Sequence, residues 1–165
     1  MKRRALLAVV FEWSALLFAA ALHSQTPTSK STAPSHNLIA EVNLFEHYNH
    51  DFQQIATALP ASDEGPNAAV YFRDTSLEAS YDVHAAHVML LMYDQITCSG
   101  DRERVKPILV QALQLYAWRM NEKVDHVSGF GSLVKNVEVV QMALKMKDDL
   151  RSANQMFESI ATSLK

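Results

Sequence analysis

A single cysteine, Cys98, stands in the 165 residues, so no disulfide can form within the chain. Glycine and proline are scarce, at four and five, and three of the prolines (Pro27, Pro34, Pro60) precede residue 61. The remainder is nearly free of helix breakers, which excludes a turn-rich β-fold and points to an all-α one. There is no basic block beyond Met1–Arg4 and the formal charge is −3, so a nucleic-acid surface is not indicated. No G-x-x-x-x-G-K phosphate loop follows the glycines at 129 and 131. No C-x-x-C-H offers covalent haem attachment, and no helix carries the Glu-x-x-His pair of di-iron bundles. No base stands at a spacing that would activate Cys98, which reads as an inert thiol or as a link to another chain.

What is present begins at the N-terminus. Lys2, Arg3 and Arg4 precede an apolar run from Ala5 to Leu22, broken by Glu12 and Ser14 and followed by small residues at Ala19–Ala21 and Ser24. A positive n-region, an apolar core and small residues at its end are the layout of a secretory signal peptide, expected over residues 1–24. The alternative is an uncleaved anchor, which Glu12 would disfavour by roughly 2.5–3.5 kcal/mol at the bilayer centre. In either case the rest of the chain is expected to be exported, to the periplasm or outside the cell. Contact with a membrane is expected only through this segment, if it is retained. Removing it takes away three positive charges and one negative, so −3 becomes −5. Residues 25–37 are rich in Ser, Thr and Pro and lack apolar periodicity, so they are expected to form a disordered linker.

Residues 38–165 are expected to form an up-down-up-down four-helix bundle. The first helix, Leu38–Leu59, carries a stripe of Leu38, Val42, Phe45, Phe52, Ala56 and Leu59, and Pro60 ends it. Ala61–Asp74 reads as a long connection, with Val70, Tyr71 and Phe72 either packing over the bundle end or forming a short extended piece. Asp74 or Thr75 would cap the second helix, Leu77–Cys98, a segment of about six turns. Its face is expected to be Leu77, Tyr81, Ala85, Val88 and Met92, with His84 in the middle and His87 at the edge. The run Val88–Tyr93 is apolar all round, so this helix is expected at the centre.

The third helix begins near Val105 or as a bent turn before Pro107. Its stripe is Leu109, Leu113, Tyr116, Met120, Val124 and Val127. Trp118 lies opposite, as an exposed partner contact or beneath a covering loop. Ser128–Ser132 reads as the next turn, with Ser132 capping a last helix, Leu133–Leu164. That helix has a main stripe from Val139 to Leu164 and a second one of Val134, Val137 and Leu144.

Three functional readings follow. The favoured one is an exported non-enzymatic bundle that binds an envelope protein or a second copy of itself, with Trp118, Tyr71 and Phe72 as contact candidates and no cofactor. The second is a small periplasmic metal- or haem-binding bundle using His84, with His87 or a methionine as a further ligand; the i, i+3 pair His47 and His50 on the first helix is a separate candidate metal half-site. Against it, methionine at helical spacing is ordinarily core filler, and His47 and His50 fall on the polar side of their helix. The third is an enzyme with an acid–base pair such as His84 and Glu138.

Overall fold

The computed structural model describes residues 38–60 and 63–165. The signal-peptide and linker readings lie outside the described residues. Those residues form four helices: α1 (Leu38–Ala58), α2 (Gly65–Asp94), α3 (Ser99–Gly131) and α4 (Val137–Ser163), with no strand among them. At 1.5 Å per residue, α2 and α3 are about 45 and 50 Å long. None of the four is long and apolar enough to cross a membrane.

Contacts across the connections give the helix directions. Phe52 meets Phe72, Asp94 meets Arg102, and Tyr116 meets Phe157, so each helix runs antiparallel to the one before it. At one end, the corner between α1 and α2 is latched to the corner between α3 and α4. The Glu64 carboxylate accepts from the Lys135 amide, and Asp63 faces the Asn136 amide at 3.5 Å.

In α1 the apolar stripe holds, turned slightly towards Tyr48 and Ile55. Leu38, Phe45, Tyr48, Phe52 and Ile55 are buried, while Val42, Ala56 and Leu59 are partly so. In α3 all six stripe residues expected from the sequence are buried. In α4, Val139, Met146, Leu150, Ala153, Phe157 and Ile160 are buried, but the second stripe is not. Val137 is 67% exposed and Leu144 48%, so the N-terminal half of α4 is covered on one side only.

Several boundaries differ from the sequence reading, the end of the second helix at Asp94 instead of Cys98 among them. The long connection before Asp74 does not exist, because α2 starts at Gly65. Pro66 lies in its first turn, where a missing N–H removes no helix bond, and Asp63 Oδ1 accepts from the Gly65 amide at 3.1 Å. Helix α3 runs unbroken from Ser99 through Pro107 to Gly131, so it starts ahead of Val105 with no bent turn before it and absorbs the glycine turn. Phe130 explains the extension: its ring lies 4.4 Å from Tyr71 and 5.7 Å from Phe72, so packing holds the last turn where propensity alone would release it. Finally, Asn136 rather than Ser132 caps α4, accepting from the Val139 amide at 3.1 Å.

The largest correction concerns α2. Its buried side is Ala68, Ala69, Phe72, Thr75, Ser76, Ala79, Ser80, Val83, Ala86, His87 and Leu90. The expected face lies mostly outside the core: Tyr81 is 63% exposed and Val88 38%, His84 is exposed between them, and Leu77, Ala85 and Met92 are only partly buried. Small side chains let the helices approach closely, and two of the buried hydroxyls bond their own backbone. Thr75 donates to the Tyr71 carbonyl at 3.0 Å and Ser76 to the Arg73 carbonyl at 2.7 Å. Hydroxyls satisfied in this way are cheap to bury, so hydropathy periodicity picks the wrong side. This helix touches all three others, as the last helix also does.

Candidate functional site

Helices α3 and α4 pack through their buried stripes but diverge on one flank. Ala117 on α3 and Ala161 on α4 are buried there and too small to fill the space between the helices. The result is an open surface groove of about 730 Å³. Asn154 braces its floor by donating to the Ala117 carbonyl at 2.9 Å, which also ties α4 to α3. Trp118 forms one rim and is 59% exposed. Tryptophan is usually well covered in a folded protein, and here the indole stands open on the edge of the groove. The remaining lining is polar: Gln114, Asn121, Gln155, Thr162, Arg151 and Glu158. Arg151 pairs with Asp148 at 3.2 Å, a solvated i, i+3 contact of little energetic weight.

A second polar cluster lies between α2 and α3. The Asp82 carboxylate is buried, with Lys123 Nζ at 3.0 Å on one oxygen and Arg119 Nη1 at 2.9 Å on the other. Lys123, also buried, reaches Glu78 at 3.6 Å. Burial pushes the Asp82 carboxyl above its ordinary range, and the two cations pull against that rise without cancelling it. Tyr116 sits beside this cluster, its phenol pushed up first by burial and then by Asp82. Both oxygens of Asp82 are occupied by cations, so the cluster is closed upon itself. It ties α2 to α3, a contact suited to holding their register.

A third polar contact joins α1 to α4. Tyr48 donates to Asp149 at 2.5 Å, and burial, with Asp149 adding to it, raises the Tyr48 phenol. Glu41 is half-buried and its Oε2 has no partner among the described residues. Burial raises its carboxyl, and the charge of Asp149 raises it further.

The residues singled out from the sequence are dispersed. His84 is exposed, whereas the sequence placed it in the core, and His87 is buried with Nδ1 unpartnered among the described residues. His47 lies 3.4 Å from Asp51, and His50 lies 2.8 Å from Gln54. No three His, Cys, Asp or Glu side chains converge among the described residues. Glu138 is exposed in the first turn of α4 and has no ion pair with His84 among the described residues. Cys98 is exposed at the start of α3. Tyr71 is half-buried and Phe72 wholly buried in the aromatic cluster, so of the three contact candidates Trp118 alone stands fully at the surface. No family model, no curated protein and no solved structure matches this chain.

The sequence reading found Trp118 but not its groove, and it missed the Asp82 cluster. That cluster did leave a trace. Glu78 and Asp82 are spaced i, i+4, as are Arg119 and Lys123, so two acids and two bases stand at matching intervals on helices expected to be antiparallel.

Proposed function

We propose that this chain is an exported, non-enzymatic helical bundle that acts by binding, and that the groove between α3 and α4 is its contact face. The observation that carries this reading is Trp118, whose indole stands open at the rim of a polar groove. The basic and apolar N-terminal residues support export, with cleavage after Ser24 and a flexible linker over residues 25–37. The partner lies in the cell envelope or is a second copy of the chain. The metal or haem alternative rests on His84 in the sequence; its exposed position lends it no support, and an absorbance spectrum and metal analysis of protein from its native host would revive it.

Two measurements test the proposal. The mass of the protein recovered from an exporting host should correspond to residues 25–165; a retained N-terminus would leave an anchored protein instead. Retention of envelope components on immobilised protein should fall in Trp118→Ala while the melting temperature holds. Equal retention by the variant would remove the groove from the reading.

A further inference from the structure

We infer that the α3–α4 groove is a site for a neutral glycan, a short run of sugar rings carrying hydroxyls but no charge. The inference rests on the reading of this groove as the contact face, and it names the ligand. The first observation is the composition of the lining. One open aromatic surface, Trp118, stands beside the side-chain amides of Asn121 and Gln155, with Arg151 and Glu158 contributing one charge of each sign. A pyranose has an apolar face of C–H groups and a rim of hydroxyls. The apolar face suits an indole plane. The rim needs partners that both donate and accept, and amides, a carboxylate and a guanidinium supply both.

The second observation is that these groups are free. Among the described residues, the side chains of Asn121, Gln155 and Glu158 make no hydrogen bond within the protein, so their donors and acceptors face the groove or solvent. The charge balance selects among ligands. Arg151 and Glu158 carry opposite charges, so the lining has no net charge. An anionic ligand such as a phosphate or a sulfated sugar would meet a carboxylate with no surplus of cations. A proline-rich peptide needs a run of aromatic side chains to pack between its rings, and the groove has one.

The test uses the full chain and a printed array of neutral and acidic glycans, read beside Trp118→Ala and Asn121→Ala/Gln155→Ala. All three positions line the groove, and neither Trp118, Asn121 nor Gln155 is buried, so the variants should melt with the parent. The expected result is retention of neutral glycans, with apparent affinity falling about tenfold on loss of the indole and further on loss of the amides. Retention confined to acidic glycans, or unchanged in Trp118→Ala, overturns the inference. So does the absence of retention on every glycan. In that last case, loss of envelope retention in Trp118→Ala would leave the groove as a contact face for a protein partner, and unchanged envelope retention would remove both readings.

Discussion

The two helical hairpins of this bundle are built to opposite ends. Between α1 and α2 the side chains close on each other: Phe52 packs on Phe72 at 5.5 Å, alanines and serines fill the remainder, and Asn49 donates across to the Arg73 carbonyl at 3.3 Å. Between α3 and α4 the stripe is just as well packed, yet one flank stays open, floored by two alanines and rimmed by an exposed tryptophan. Small residues therefore do different things in the two places. On α2 they let a neighbouring helix approach. On α3 and α4 they leave space that no side chain of the bundle occupies. The lesson is that a small residue counts as packing only when something stands opposite it.

The sharpest way to break this contrast is in the closed hairpin. Phe72 touches Phe52, Tyr71 and Phe130, so it joins α1, α2 and the end of α3. Phe72→Ala should destabilise the fold by about 3–5 kcal/mol, read as a lower denaturation midpoint. Protection of amides in the last turn of α3 should fall with it, since the ring holds that turn. A drop in global stability with the last turn unchanged would mean that Phe130 is held by something else.

The closed polar cluster between the hairpins comes next. Asp82→Ala would leave Lys123 buried without its main partner, a loss of about 3–5 kcal/mol in comparable cases. The double variant Asp82→Leu/Lys123→Met should recover most of that, because the burial of both charges is then removed together. If the single variant proves neutral, Lys123 has found solvent or Glu78, and the cluster is not what sets the register.

These sites also show how much was legible beforehand. The number of helices, the stripes of α1, α3 and most of α4, and the antiparallel order follow from spacing, because Leu, Phe, Met and Val recur on one side of those helices. Helix α2 was legible in existence and unreadable in orientation. Its apolar residues lie all round, and the buried side is chosen by size and by satisfied polar groups: Ser76 bonds Arg73, and Asp82 bonds Lys123. Boundaries failed where one contact outweighs propensity, as Phe130 does at the end of α3. Of the groove, only Trp118 could be read, since an open flank depends on what is missing opposite Ala117 and Ala161.

Between α1 and α4 the expected effect is smaller and depends on pH. The Glu41 carboxyl is raised above its ordinary value of 4.5 by burial and by Asp149. The folded state then holds a proton that the unfolded state releases, so stability falls as pH rises from 4.5 through the folded value. Glu41→Gln removes that loss. The variant should melt above the parent at neutral pH and converge on it well below pH 4.5, where both states carry the proton. A gain that persists at low pH would assign the effect to packing instead of titration.

The smallest expected change in stability belongs to the groove, and its smallness is what carries the argument. Trp118 is 59% exposed, so Trp118→Ala should alter the folding free energy by no more than about 0.5 kcal/mol. Asn154→Ala, in the floor of the same groove, should lower it by about 1 kcal/mol, because the Ala117 carbonyl loses its donor. A large exposed aromatic that can be deleted freely, beside a floor that cannot, is what a surface kept for something outside the fold requires. If chemical denaturation shows instead that Trp118→Ala is the more damaging of the two, the indole is covering apolar surface of α3 and α4. The groove would then belong to the packing of its hairpin, and the contrast between the two hairpins would disappear.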